Sequence, residues 1–290
     1  MAVVVRSQPN YDVRARLFEQ STKEHMKQST LIIGAAQSAS VPGNVSLNLT
    51  RHLQFSAIAA ERGVQLLVFP ELSLTGYEPA MARSNCFLPD DDSRLDSLRR
   101  LAEETRIILV VGAPVLNNEN ELHIGAFAIR PDGTVMTYTK EYLHPGEESV
   151  FTPGLGGATL LVEDATVALA ICADTNHPQH AAKAKARGAN VYAAGVLITE
   201  NGYEPDTAIL RQYSLQHRMA VLMANHSAPT GGWIPAGKSA IWSEDGGLVA
   251  GTAGTEEALV IARKQDLVWD GTLLPVPAFA GTVGRQVGSK

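Results

Sequence analysis

Three side chains of complementary chemistry each follow an apolar run in the 290-residue sequence. Glu71 ends the run LLVFPE, Lys140 ends TVMTYTK and Cys172 ends VALAIC. Residues that follow parallel strands meet at one edge of an open α/β sheet, so we expect Glu71 and Cys172 to converge and Lys140 to reach them from a hairpin. A thiol, a carboxylate and an amine together suit nucleophilic catalysis, with a base for the thiol and a cation for the thiolate and the oxyanion.

The residues after Cys172 predict a sharp turn from a strand into a helix. Ala173–Thr175 are small or polar, and Pro178 is suited to open a helix. Such an elbow exposes the sulfur and directs the backbone N–H of Ala173 at a developing oxyanion. A thiol with a pKa of about 8.5 is mostly protonated at neutral pH, so it needs a base such as Glu71. Taken singly, each of the three residues also fits a structural role, such as an inert buried thiol or a solvated lysine.

Other polar residues are weaker candidates for the same site. In KEYLHPGEESVFTPG, Glu147 or Glu148 offers a further carboxylate close to the lysine, whereas Cys86 has no setting that would activate it. Four histidines lie near these motifs or on loops: His144, His177, His180 and His226. The two that follow Cys172 closely are interpreted as helix-start residues, and the other two are candidates to line a pocket. The sequence has no CxxC or HExxH motif and no cluster of Asp, Glu or His residues at the spacing of metal ligands. We therefore expect no metal centre.

The first half of the sequence alternates between strand and helix patterns. LIIGAAQ precedes a predicted helix over Asn44–Arg62, and Gly63 is the expected residue after its end. QLLVFPE, a predicted helix over Ser93–Thr105 and IILVVGAP repeat the pattern. LHIGAFAIR and TVMTYTK, separated by Pro131–Gly133, predict a β-hairpin.

The second half continues the alternation. TLLV and TVALAIC precede a helix opened by Pro178 and closed by Gly188, and NVYAAGV, a predicted helix over Thr207–Met219 and AVLMAN follow. SAIWS, GGLVAG and ALVIAR are three further strand-like runs, and the pieces GLGG and TGGW are interpreted as turns. About a dozen strands and four helices without a linker predict one α/β domain with large sheets.

The two ends of the chain differ from this core. We expect residues 1–29 to form a polar, poorly packed extension, with Met26 as an alternative start, and residues 30–268 to form the domain. The Gly- and Pro-rich residues 269–290 are expected to form a tail that runs over the surface or over a neighbouring subunit.

The composition argues against several classes of partner. The chain is 45% hydrophobic and 19% charged, with a formal net charge of −6 and a pI near 5.8. An acidic chain without blocks of Lys or Arg is poorly suited to nucleic acid or to an anionic membrane, and no apolar run approaches the ~18 residues that cross a bilayer. We therefore expect a small-molecule partner. Two cysteines and a start without a signal-peptide pattern predict a cytoplasmic location.

The three candidate residues lie in longer motifs that occur in the order FPELSLTGY, TKEYLHPGEESVFTPG and ALAICADTNHP. Together these motifs resemble the carbon–nitrogen hydrolase, or nitrilase, superfamily, over roughly residues 31–264. The resemblance implies a triad of Glu71 as general base, Lys140 as oxyanion stabiliser and Cys172 as nucleophile. It also implies Glu147 as an assisting second glutamate, and an αββα sandwich that pairs into an αββα–αββα homodimer without a cofactor.

The resemblance further implies hydrolysis of a non-peptide C–N bond in a small amide or carbamoyl compound through a thioester. Three alternatives stay open: a nitrilase that acts on a small nitrile, a non-catalytic member that binds a ligand or partner, and a glutaminase subunit that supplies ammonia to a synthetase. Residues on the same segments are candidates for oxyanion or substrate binding: Tyr77, Tyr142, Ala173 and Asp174. The family often has an aromatic residue in place of Ala173 and a histidine in place of Tyr142, so the substrate cannot be copied from a relative.

Overall fold

Two β-sheets pack face to face and carry α-helices on their outer faces. The computed structural model of the protein describes residues 30–89 and 91–277. Within these residues the helices are α1 Val45–Glu61, α2 Asp96–Thr105, α3 Pro178–Ala186 and α4 Glu200–His217. None of the helices in this described part is long and apolar enough to cross a membrane. The predicted extension over residues 1–29, Met26 included, lies outside the described residues.

The first sheet has seven strands. They are β1 Thr30–Gln37, β2 Leu66–Val68, β3 Ile108–Leu116, β4 Leu122–Ile129, β5 Val135–Thr139, β12 Ala258–Gln265 and β13 Val268–Pro275. Their order is β13-β12-β1-β2-β3-β4-β5, in which β1, β2 and β3 are parallel and the other neighbours are antiparallel. The predicted hairpin is confirmed, because β4 and β5 pair from Ile129 and Val135 to Gly125 and Thr139.

The second sheet has six strands. They are β6 Leu160–Val162, β7 Ala165–Ile171, β8 Val191–Val196, β9 Ala220–Asn225, β10 Ala240–Trp242 and β11 Leu248–Gly251. Their order is β11-β10-β9-β8-β7-β6, with β7, β8 and β9 parallel. Parallel strands of both sheets therefore lead to candidate residues, since β2 precedes Glu71 and β7 precedes Cys172.

The core lies in three layers that follow from the alternation of side chains along each strand. Leu66 of β2 packs between the sheets with Leu169 of β7, whereas Leu67 packs outward with Phe55 of α1. Tyr192 of β8 packs outward on the other side, against α3 and α4. The layer order is helix, sheet, sheet, helix, which confirms the αββα sandwich.

Helix α4 begins earlier than the predicted helix over Thr207–Met219. The predicted helix begins after Pro205, which lacks the N–H that a helix interior uses. In the structure α4 starts at Glu200 and includes Pro205. Asn201, whose carbonyl would have accepted the missing bond, is exposed like Pro205, so water can satisfy this carbonyl.

The predicted tail from residue 269 begins with a regular strand that the sequence analysis did not predict, because its first residues belong to β13. This strand pairs along its whole length with β12, and most of its side chains are exposed. An edge strand without a buried face lacks the apolar alternation that marks a strand in a sequence. Gly271 lets β13 approach β11, because a Cβ there would lie 2.0 Å from the carbonyl oxygen of Val249. The domain boundaries at residues 29 and 268 stay predictions.

Candidate active site

Glu71 lies on the turn that follows β2. This turn passes between a strand of the first sheet and a strand of the second sheet. Two glycines make room for its backbone. A Cβ at Gly112 on β3 would lie 2.4 Å from the nitrogen of Leu72, and one at Gly195 on β8 would lie 2.6 Å from the carbonyl oxygen of Phe69. Leu72 has a φ of +51°, a conformation that side chains rarely adopt. The close approach of the two sheets therefore sets the direction of Glu71.

Lys140 is fully buried between two carboxylates. Its Nζ donates to Oε1 of Glu71 at 2.7 Å and to both carboxylate oxygens of Glu147 at 2.8 Å. Since Glu147 is buried and Glu148 is exposed, the structure decides between the two adjacent acids of the motif. The buried arrangement is one ammonium group shared by two carboxylates.

Glu147 is also held by groups outside the ion pair. Its Oε1 accepts a hydrogen bond from the hydroxyl of Tyr77 at 2.7 Å, and its Oε2 accepts one from the backbone N–H of His144 at 2.7 Å. These bonds fix the carboxylate that in turn fixes Lys140.

Cys172 lies on a sharp turn between β7 and α3, as the sequence predicted. Its φ is +42°, and Cys172–Asn176 form a 3₁₀ turn ahead of α3. Such backbone strain is frequent at functional turns. The thiol donates to the carbonyl oxygen of Leu197 at 3.6 Å and lies close enough to Glu71 for each group to shift the pKa of the other. The N–H of Ala173 belongs to the first residues of the turn, which have no acceptor within it.

Burial and mutual charge set the protonation of the site. Burial raises the pKa of Glu71 to about 7, an effect that Lys140 opposes and Glu147 reinforces. Burial and the charge of Glu71 also raise the pKa of Cys172. Although its own burial acts in the opposite direction, the neighbouring acidic groups raise the pKa of Lys140. The resting site therefore contains a neutral thiol beside a carboxyl group that can exchange a proton near neutral pH.

A cavity of about 220 Å³ lies over Cys172. Glu71 and Glu147 line it, together with Tyr77 and Ala173, two of the four residues predicted to bind the oxyanion or substrate. A second cavity of about 220 Å³ lies near the start of β1 and is lined by neither cysteine. In the described part of the chain, no group of three or more His, Cys, Asp or Glu side chains is arranged to hold a metal ion.

Tyr142 and Asp174 do not line this cavity, which corrects their predicted role. Tyr142 stacks on His177 with ring centroids 3.8 Å apart. Asp174 is fully buried, and its carboxylate accepts the backbone N–H groups of Ile171, Glu141 and Tyr142 at 2.9, 3.0 and 2.9 Å. Asp174 therefore joins the end of β7 to the residues after β5.

Asp206 is a part of the site that the sequence analysis missed, and His226 lies near the cavity without lining it. His144 lines the cavity as predicted, but His226 is buried behind it, where its Nε2 donates to the backbone carbonyl of Glu71 at 2.7 Å. Burial lowers the pKa of His226 to about 4, so the ring is neutral. Asp206 lines the cavity from α4. The predicted helix started after it, although Thr199 followed by an acid is a recognised helix-start signal.

The fold and the site together define an αββα protein with a glutamate, a lysine and a cysteine gathered beside one cavity. The family model described as carbon-nitrogen hydrolase matches residues 32–268. The chain therefore belongs to the carbon–nitrogen hydrolase family and is an enzyme of that class.

Relatives and solved structures agree with this family. The chain is 29% identical over 218 residues to an (R)-stereoselective amidase of Pseudomonas sp., covering 71% of this chain and 75% of the relative. It is 27% identical over 211 residues to a nitrilase of Pyrococcus abyssi, covering 71% and 78%. A variant of the amidase from Nesterenkonia sp. AN1, with acrylamide added to its active-site cysteine, is similar with a TM-score of 0.73 at 25% identity, covering 82% of this chain and 93% of that chain.

Proposed function

We propose that the protein is a cysteine-dependent amidase that hydrolyses a small carboxamide or carbamoyl compound through a thioester. The observation that carries the proposal is the meeting of Glu71, Lys140 and Cys172 beside one cavity. Oε2 of Glu71 is buried without a hydrogen-bond partner among the described residues, so it is available to the thiol proton. The amidase relative and the active-site cysteine of the Nesterenkonia enzyme support the same choice.

In the first step Glu71 acts as the general base. It takes the proton of Cys172 as the sulfur attacks the carbonyl carbon, and the carbonyl π electrons move to the oxygen. A carboxyl group with a pKa of about 7 suits this role, because it can both accept the proton and return it at neutral pH.

Lys140 and the backbone N–H of Ala173 stabilise the oxyanion that forms. Lys140 donates to both oxygens of Glu147, so it can direct one of these protons at the oxyanion and keep the other bond. Glu147 thereby assists by holding the ammonium group in place.

The remaining steps release the two products. Protonated Glu71 gives its proton to the leaving nitrogen, the C–N bond breaks and a thioester remains on Cys172. Water then attacks the thioester and gives a proton to Glu71. The C–S bond breaks, the carboxylic acid leaves, and the sulfur recovers its proton from Glu71. These steps require no cofactor.

Ammonia release from short amides tests the proposal, with the two cysteines as a matched pair. Both are free and half-buried, which makes Cys86 a suitable control. Cys172→Ala should abolish ammonia release from butanamide, and Cys86→Ala should retain it. Full activity of Cys172→Ala would refute the assignment of the nucleophile.

Mass spectrometry of the intact protein separates amide from nitrile chemistry. An amide substrate forms an adduct of substrate minus the amine, whereas a nitrile adds its whole mass because no group leaves when the thioimidate forms. Ammonia release from nitriles alone would favour the nitrilase alternative, and release from glutamine alone would favour an ammonia-supplying subunit. Binding of butanamide without any release would favour the non-catalytic alternative.

We also propose that the enzyme acts in the cytoplasm as a homodimer. The resemblance implies that the αββα sandwich pairs with a second copy, and Cys86 and Cys172 are both free thiols, as in reducing compartments.

A further inference from the structure

One face of helix α4 forms a wall of the cavity over Cys172. Thr199, Gly202 and Asp206 all line the cavity, and spacings of three and four residues place them on the same face of the helix. Asp206 is the only one of them with a charge. The wall is therefore acidic, although it lies beside a site that already contains two carboxylates.

The carboxylate of Asp206 has no partner within the described part of the protein. It makes no hydrogen bond or ion pair there, and the imidazole of His144 is the sole ionisable group that acts on it. Burial raises the pKa of Asp206, which means that its charge has lost water without gaining a compensating contact. Glu71 and Glu147, by contrast, both accept hydrogen bonds from Lys140.

The structure around Asp206 leaves space for a ligand. A Cβ at Gly202 would lie 3.3 Å from Oδ2 of Asp206, so glycine gives the carboxylate its room. Trp233 lines the same cavity and is 45% exposed, with its ring edge-on to His144 at 6.2 Å between centroids. The predicted turn TGGW places Trp233 there through paired backbone bonds with Thr230 at 2.9 and 3.1 Å.

No lysine or arginine of the described chain lines this cavity. An anionic substrate would meet three carboxylates there, and the nearby ammonium group of Lys140 is already bound to two of them. The start of α4 carries about half of a positive charge, which is smaller than the full negative charge of an ionised Asp206, and Glu200 in the first turn is already paired with Lys238 at 2.6 Å. The lining therefore favours a ligand with a positive charge.

Building on the proposed amidase function, we propose that the substrate is an amide that carries a protonated amine, with Asp206 as the residue that binds the ammonium group. Trp233 forms an aromatic surface beside this group, which suits a cation. The leaving ammonia or amine comes from the amide nitrogen, so the ammonium group stays unreacted and serves only in recognition.

Matched substrates test this inference. Butanamide and 3-aminopropanamide have the same number of non-hydrogen atoms and differ in charge, and malonamate is the anionic counterpart. Longer ω-amino amides, each paired with the alkyl amide of equal length, allow for the distance between Asp206 and Cys172. We expect kcat/KM of wild type to be about tenfold to a hundredfold higher for the best amino amide than for its alkyl partner.

Variants of Asp206 connect the preference to this side chain. Asp206→Asn should reduce the ratio of kcat/KM values towards one, and Asp206→Lys should shift the preference to malonamate. Glu204→Gln is the matched control, since Glu204 is an exposed acid on the same helix that does not line the cavity, and its ratio should equal that of wild type. In wild type, added salt should weaken the preference, because salt screens the attraction between Asp206 and the ammonium group.

The outcomes separate this inference from the proposed function. Equal kcat/KM values for alkyl and amino amides, a preference of wild type for malonamate, or an unchanged ratio in Asp206→Asn would overturn the role of Asp206 while the amidase activity stands. A failure of wild type to hydrolyse any amide would instead refute the proposed function on which the inference rests.

Discussion

Replacement of Glu71 by glutamine should stabilise the protein and remove most of its activity. The side-chain oxygen of glutamine can still accept the 2.7 Å bond from Lys140, and Lys140 keeps its bonds to Glu147 at 2.8 Å. The substitution therefore removes one buried negative charge and leaves a one-to-one ion pair. Removing one partner of an isolated buried ion pair, by contrast, would leave the other charge uncompensated.

The pKa of Glu71 gives the magnitude and the sign. Burial raises this pKa from 4.5 to about 7, so ionising Glu71 in the folded protein costs about 3 kcal/mol more than in water, at about 1.4 kcal/mol per pKa unit. A carboxyl with a raised pKa contributes stability that is fully present below pH 4.5 and is lost as the pH rises through 7. Because glutamine does not titrate, the advantage of Glu71→Gln should be small near pH 4.5 and reach about 3 kcal/mol above pH 7.

Urea unfolding at pH 5 and pH 8 measures the stability, and ammonia release from butanamide measures the activity. Turnover should fall by about 10²–10⁴-fold, because glutamine cannot take the thiol proton. Glu148→Gln is the control, since it removes an exposed negative charge near the site and should change neither quantity appreciably. The reasoning from burial would be refuted if Glu71→Gln were less stable than wild type at pH 8. It would also be refuted if the free energy of unfolding of Glu71→Gln differed from that of wild type by the same amount at pH 5 and pH 8.

Alkylation of Cys172 by iodoacetamide should accelerate only at alkaline pH in wild type, because burial and the charge of Glu71 raise the pKa of the thiol. The pH dependence of the alkylation rate should move to lower pH in Glu71→Gln, which removes that charge. Peptide mapping with Cys86 as internal reference measures both profiles, and identical profiles would contradict this prediction. Asp174→Asn should lower the free energy of unfolding by about 2–4 kcal/mol, because one amide oxygen cannot replace a carboxylate that accepts three backbone N–H groups. A loss below about 1 kcal/mol in urea unfolding would argue against that bridging role of Asp174. Light scattering at micromolar concentration should give twice the 31.0 kDa of one chain, and a particle of 31.0 kDa would contradict the homodimer. Removal of residues 1–25 should leave amidase activity nearly unchanged, whereas a folded but inactive truncation would show that these residues contribute to the site or to an interface.

Local patterns were sufficient to predict most of the elements and to single out the three residues that the structure places beside one cavity. Apolar periodicity and turn residues are properties of neighbours in the chain, so they predicted the β4–β5 hairpin and the ends of two helices. Gly63 and Gly188 indeed follow α1 and α3 with φ of +71° and +89°. The same patterns failed for β13, whose side chains are exposed, and for the start of α4, where a proline lies inside the helix.

By itself, the sequence determined which groups stand at the ends of strands, and hence that a carboxylate, an amine and a thiol could meet. Only the tertiary structure decided which other polar side chains join them. Glu147 and Glu148 are adjacent and chemically alike, yet one is buried against Lys140 and the other is exposed. Asp174, two residues after Cys172 in the sequence, binds backbone N–H groups, while the distant Asp206 lines the cavity. The physical reason is that the burial and the direction of a side chain depend on how sheets and helices approach one another. Those contacts join residues that are far apart in the chain.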